Sequence, residues 1–151
     1  MATVRQVLAA QTRDEGQRFL EAYEQVPVDR RDFAASPESR SPIDMLAELT
    51  VLMPTSTDLA RRGLYAGFDK QEYLEAKAAA LAEGSDALMA LFKTNLAALV
   101  AAIERMPDAD FDLVIESSFG TVPVWDALTF PAWNMSYHEG QVSFILTMLG
   151  S

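Results

Sequence analysis

The segment from Trp133 to Leu149 restricts most strongly how this chain can fold. It holds the only histidine, His138, and its large apolar residues recur at helical spacing: Val142, Phe144, Ile145, Met148 and Leu149. A helix that is apolar on most of its surface must be buried on most sides, so polar groups on its inner face need partners. Asn134 precedes His138 by four residues and shares its face, and Gln141 lies close to that line. The segment predicts a buried helix with a polar site or a hydrogen-bonded core cluster.

The composition indicates one globular domain of a reduced compartment. The chain has 151 residues, of which 50% are hydrophobic and 23% charged, enough to bury a single core. The absence of cysteine excludes disulfides and thiolate nucleophiles and favours a cytoplasmic protein. The net charge of −10 argues against nucleic acid or an anionic membrane as a partner, because both would repel the chain.

Neither a secretory segment nor a membrane-spanning segment is expected from the apolar runs. The N-terminus turns polar at Gln11, before a secretory hydrophobic region could form. The longest uninterrupted apolar run, residues 96–103, is too short to cross a bilayer.

Hydrophobic periodicity predicts an all-α domain, a four-helix bundle that spans residues 1–151. Long helices are expected over residues 3–25, 41–53, 85–106 and 124–149, the last either kinked or started anew at Pro131, with a shorter one over 69–83. The second helix is predicted to start at Ser41, a serine cap followed by proline, and to end at Pro54. Loops are expected over 28–40 and, with some helical content, over 55–69, and either a small hairpin or an extended excursion is expected within 108–123.

Two carboxylates of the second helix are candidate site residues. Asp44 and Glu48 are four residues apart and can face inward together. Asp44 is also typical of a helix start, where it complements the dipole, whereas Glu48 lies deeper in an apolar stretch. Trp125 and Trp133 could line a pocket mouth, although tryptophans in a bundle are more typical of a core. The predicted ligand pocket contains Glu48, Asn134, His138, Gln141 and Trp133.

Three stretches together resemble the DinB-like (DinB/YfiT) superfamily in order and over nearly the whole chain. They are the helix from Ser41 to Leu49, the Phe119-Gly120-Thr121 stretch leading into Trp125, and Asn134-x-x-x-His138-Glu139-Gly140-Gln141. The resemblance implies a bundle with non-sequential helix packing, often a homodimer. It also implies nickel or zinc held by three histidines at one end of the bundle. Characterised relatives are thiol-dependent transferases that use low-molecular-weight thiols.

Of the three ligand positions that the resemblance implies, only His138 is a histidine here. The second-helix position is Glu48, and the first member of the last-helix pair is Asn134. A carboxylate commonly replaces one imidazole on such metals, but an amide oxygen is a weak donor. The implied site of Glu48, Asn134 and His138 would therefore either hold a divalent metal loosely or form a metal-free cluster. In that cluster Glu48 is expected to raise the pKa of His138.

Three functions remain open from these residues. The first is a small-molecule-binding protein whose metal site is lost or weakened. The second is a metal-dependent enzyme resembling thiol S-transferases, with the altered site and with the thiol as a cosubstrate. The third is a metal-free hydrolase with Glu48 and His138 as its base, but Ser136 and Ser143 are poorly placed on the helix to act with His138.

Overall fold

The computed structural model describes residues 2–63, 65, 67–117 and 120–150. Its helices are α1 (Val4–Gln25), α2 (Pro42–Arg62), α3 (Lys70–Ala82), α4 (Ser85–Arg105), α5 (Val124–Ala127) and α6 (Phe130–Leu149). Short 3-10 turns lie at Val28–Arg30 and Asp108–Asp112. The strands β1 (Val114–Ser117) and β2 (Gly120–Pro123) pair as an antiparallel hairpin. The predicted all-α four-helix bundle is confirmed. Of the Phe119-Gly120-Thr121 stretch, Phe119 lies outside the described residues.

The four long helices are packed in an order that differs from their order in sequence. Helix α1 packs against α4 and α6, and α2 packs against the same two helices. Consecutive helices α1 and α2 therefore occupy opposite corners of the bundle. The centre is filled by fully buried side chains, among them Phe19, Tyr23, Leu46, Phe92 and Met135. This arrangement brings the first half of α2 against α6, where the candidate polar residues lie.

Helix α2 is longer than the sequence predicts, because it continues through Pro54 to Arg62. The expected stop at Pro54 and the expected loop from residue 55 are both wrong. Proline removes the amide that would bond to the carbonyl four residues earlier, here that of Thr50. The side chain of Asn95 on α4 donates to this carbonyl at 2.9 Å. A tertiary hydrogen bond thus replaces the missing helical one, and the helix ends at Gly63, whose φ is 63°.

Helix α4 is long and apolar enough to cross a membrane by length and composition, alone among the helices described. The uninterrupted apolar run 96–103 is too short to cross a bilayer, but the whole helix, with its few interspersed polar residues, is apolar over a greater length. Within the bundle its stripe of Leu88, Phe92, Leu99 and Ile103 is buried, as in a core helix. The sequence also predicts Leu91 in this stripe, but that side chain is 44% exposed, since it lies beside the stripe.

The segment before α2 is fixed by a buried arginine. Arg31 donates from Nη1 to the Ser85 hydroxyl at 2.7 Å, and its guanidinium lies 4.8 Å from the centre of the Tyr23 ring. Its carbonyl accepts from the Ile43 amide at 2.9 Å. These contacts tie both ends of the segment to the bundle, and they place its last residues, including Arg40, beside the first turns of α2.

Gly16 is required where α1 meets α4. A Cβ there would lie 2.4 Å from a methyl carbon of Leu96, which is itself buried. We expect Gly16→Ala to lower the free energy of unfolding by about 1–2 kcal/mol, because overpacking outweighs the gain in helix propensity. Chemical denaturation measures this, with Gly140→Ala as the matched control. A Cβ at Gly140 meets nothing within 4 Å, so that variant should be stabilised. A stabilised Gly16→Ala would contradict this packing.

Candidate functional site

The carboxylate of Glu48 is the centre of a buried polar cluster between α2 and α6. Its Oε1 lies 3.1 Å from Nε2 of His138 and 3.5 Å from Nδ2 of Asn134. The three residues are 9%, 2% and 4% exposed, respectively. The structure therefore brings together the three side chains that the sequence predicts to converge, while their role in binding stays a prediction.

The other oxygen of Glu48 is held by two residues that sequence reasoning missed. The hydroxyl of Tyr73 on α3 donates to Oε2 at 3.0 Å, and Nη1 of Arg40 forms a salt bridge with the same oxygen. An ionised carboxylate offers about four acceptor positions. Arg40, Tyr73, Asn134 and His138 together supply donors for all of them, so the hydrogen-bonding capacity of Glu48 is used.

Charges in this part of the molecule are arranged as balanced pairs. Nζ of Lys77 lies 2.6 Å from the carboxylate of Asp44, and Nε of Arg40 lies 3.9 Å from it. Asp44 thus lies in the first turn of α2, as a helix-start residue, and also in the charge network of the site. Two cations, Arg40 and Lys77, neutralise the two carboxylates, Asp44 and Glu48.

The predicted rise in the pKa of His138 is wrong. Burial is the largest influence and lowers the pKa of His138, and the nearby cations Arg40 and Lys77 lower it further. The hydrogen bond with Gln141 and the charge of Asp44 act in the opposite direction. The expectation failed because it considered Glu48 without the burial of the ring and without Arg40, which neutralises that carboxylate. The imidazole is therefore neutral near pH 7.

The neutral ring has a defined arrangement of hydrogen bonds. Since a carboxylate can only accept, Nε2–H of His138 donates to Glu48. Nδ1 of His138 lies 2.7 Å from the side-chain oxygen of Gln141. The Gln141 oxygen accepts from Nδ1 only when that nitrogen is protonated, which is how this contact acts to raise the pKa of His138. Burial raises the pKa of Tyr73, so its phenol stays protonated and keeps donating to Glu48.

A cleft of about 750 Å³ opens above this cluster. Its polar lining includes Arg40, Glu48 and His138, and its aromatic lining comes from α6, with Trp133, Tyr137 and Phe144. The rings of Trp133 and Tyr137 are stacked, with centroids 5.5 Å apart and an interplanar angle of 13°. Trp133 is 57% exposed, so the core interpretation of this residue is wrong and the pocket-mouth interpretation is favoured.

A second cleft, of about 700 Å³, lies on the other side of Arg40 and Glu48. It is lined mainly by apolar side chains, among them Leu52, Leu59 and Phe68, and shares Trp133 with the first cleft. Trp125 is 40% exposed and is absent from the lining of both clefts. The Arg40–Glu48 pair is therefore part of the wall between two cavities, each large enough for a small organic molecule.

Across the described ranges, no three histidine, cysteine, aspartate or glutamate side chains lie close enough to bind a metal ion together. The serines considered for a hydrolase do not support one either. Ser136 is exposed, and the hydroxyl of Ser143 donates to Glu139 at 2.9 Å. What the cluster offers chemically is a neutral imidazole, a neutralised carboxylate and an arginine that faces solvent in part.

These features define a class of protein, a non-sequential four-helix bundle with a polar site between its second and last long helices. Two solved structures of a mycothiol-dependent maleylpyruvate isomerase, one of them a histidine-to-alanine mutant, are similar to it. Their TM-scores are 0.78 and 0.76 at 15% and 16% identity, and each alignment covers 94% of this chain. A protein from Streptococcus pneumoniae has a TM-score of 0.73 at 12% identity, over 97% of this chain and 92% of its own.

The fold is that of DinB-like (DinB/YfiT) proteins, which these neighbours share. At such low identity the likeness shows the fold and not the activity. This chain also spans only 63% of the isomerase's length. No protein-family profile matches the chain, and neither does any curated protein.

Proposed function

We propose that this chain is a small-molecule-binding protein of DinB-like fold whose site at the bundle end operates without a metal. The observation that carries the proposal is the salt bridge between Arg40 and Glu48. In this arrangement the guanidinium provides the positive charge that a divalent metal would otherwise bring to the carboxylate. The adjoining cleft of about 750 Å³ provides the space for a ligand.

The donor set does not fit a zinc or nickel site. Glu48, Asn134 and His138 offer one carboxylate, one amide and one imidazole, and the amide is a weak ligand for these ions. The carboxylate is already neutralised by Arg40, so a dication would add positive charge without compensation. Burying uncompensated charge is costly, and we therefore derive no chemistry through a metal.

The alternative is a metal-dependent enzyme resembling thiol S-transferases. It is supported by the likeness of fold to the mycothiol-dependent maleylpyruvate isomerase and by the contact between Glu48 and His138. Because the chain has no cysteine, the thiol would come from a cosubstrate. This alternative requires Arg40 to leave Glu48 before a metal can bind.

Elemental analysis of untagged protein, purified without chelators, separates the two proposals. We expect far less than one metal ion per chain in the wild type. As a positive control, Arg40→Gln combined with Asn134→His gives two imidazoles and a free carboxylate, a common zinc donor set, and should retain zinc. Near-stoichiometric metal in the wild type that disappears in His138→Ala would overturn the metal-free proposal.

A further inference from the structure

Gly140, in the middle of α6, has no packing reason to be glycine. Glycine destabilises a helix interior relative to alanine. Gly16 is explained by Leu96, but a Cβ at Gly140 would meet no atom within 4 Å. Gly140 instead lines the first cleft together with Tyr137 and Phe144. Its bare backbone leaves the floor of the cleft open at this point, so a ligand could lie directly against the helix.

Three aromatic side chains around Gly140 are exposed and leave outer ring faces open to solvent. Trp133 and Tyr137 are stacked nearly parallel, and Phe144, one turn beyond Gly140, is 64% exposed. Such faces pack favourably against another planar ring by offset stacking and by burial of apolar area. The surface therefore favours a ligand with a planar aromatic ring.

The polar edge of the cleft fixes the chemistry of the ligand's substituent. The acceptor capacity of Glu48 is used by its four donors. Arg40 carries five N–H donors; its Nη1 is engaged with Glu48 and its Nε lies 3.9 Å from Asp44, while its side chain is 42% exposed. The unused capacity at this edge is thus the donor capacity of the remaining guanidinium N–H groups. A carboxylate matches it, because it can accept two parallel hydrogen bonds from a guanidinium.

We infer that the cleft binds a planar aromatic carboxylate, with the ring on Trp133 and Tyr137 over Gly140 and the carboxylate on Arg40. This inference rests on the proposed function and names the class of its ligand. The same aromatic surface could be covered by a second copy of the chain, and the unused N–H donors of Arg40 beside it favour a small ligand with acceptor oxygens over that apolar contact.

Isothermal titration calorimetry with 2-naphthoate and its neutral counterpart 2-naphthylmethanol tests the inference. The wild type should bind the acid roughly tenfold or more tightly than the alcohol, because only the acid pairs with Arg40. Arg40→Gln should abolish this preference, and its helical circular dichroism, matched to that of the wild type, shows that the variant is folded. Arg30→Gln is the matched control, since Arg30 is an exposed arginine of the preceding segment, and it should retain the preference.

Alanine at Gly140 gives the second, independent readout. Gly140→Ala should raise the melting temperature while weakening both ligands, a combination that a purely structural role would not produce. Equal binding of acid and alcohol by the wild type, a preference that survives Arg40→Gln, or unchanged affinity in Gly140→Ala would each overturn the inference.

Failure of the inference and failure of the proposed function give different results. If neither probe binds, the inference is wrong; a dimer in sedimentation that dissociates in Trp133→Ala would then show that a second copy covers the surface. Metal in the purified wild type would instead overturn the proposed function. A metal-free protein that binds neither probe contradicts only the ligand class.

Discussion

Replacing Glu48 by leucine should lower the free energy of unfolding by about 2–4 kcal/mol, as measured by chemical denaturation. The variant removes the shared acceptor of His138 and Asn134, which are 2% and 4% exposed. Each buried donor left without a partner costs about 1–3 kcal/mol. Arg40 adds less, because its exposed side chain can return to solvent.

Glu48→Gln is the control for this prediction. It preserves the volume and one acceptor oxygen, so it should cost less than the leucine variant. If Glu48→Leu were as stable as the wild type, the cluster would contribute nothing to the fold. That result would contradict the hydrogen-bond arrangement described for Asn134 and His138.

The imidazole of His138 should titrate below the usual histidine range, since burial and the cations Arg40 and Lys77 lower its pKa. With one histidine in the chain, its NMR signals need no assignment by mutation. Arg40→Gln should raise this pKa, because it removes a cation and leaves the charge of Glu48 uncompensated. A wild-type pKa above about 6.5, the unperturbed value, would contradict the described electrostatics.

The same shift predicts how stability depends on pH. A histidine whose pKa is lowered in the folded state contributes its full stabilisation at pH values above its pKa in the unfolded chain, about 6.5. This stabilisation is lost as the pH falls through the pKa of the same group in the folded protein. The free energy of unfolding should therefore decrease as the pH falls below about 6.5, before carboxylates begin to titrate. His138→Gln should remove this decrease, and an equally steep decrease in that variant would assign it to other groups.

The fold could largely be predicted because its signals are local. The serine cap at Ser41 and the apolar stripe of α4 each reflect neighbouring residues in the sequence. The predicted helix end at Pro54 is wrong because Asn95, a residue of another helix, donates a hydrogen bond to the carbonyl of Thr50 that the proline leaves without its helical partner. No local pattern contains that contact.

The candidate site could be predicted in part for the same reason. Asn134, His138 and Gln141 share one helix, so their spacing indicates a common face. Tyr73 and Arg40 reach Glu48 from α3 and from the segment before α2, and only the tertiary fold brings them there. Without the burial of the ring and without Arg40, the sequence predicts the wrong sign for the His138 pKa shift and leaves a loosely bound metal open. The one available signal in the sequence was the position of Arg40, directly before the Ser41 cap and four residues before Asp44.

Zinc added to the wild-type protein, followed through the NMR signals of His138, tests the central claim most directly. If Arg40 supplies the positive charge at Glu48, the imidazole signals should stay unchanged with zinc in excess. The double variant Arg40→Gln, Asn134→His should bind zinc. The NMR signals of His138 and of the histidine introduced at position 134 should then shift, and the shift should be complete at one equivalent of zinc. A stoichiometric shift of the His138 signals in the wild type would contradict the account, because it would place a metal where the structure places the guanidinium.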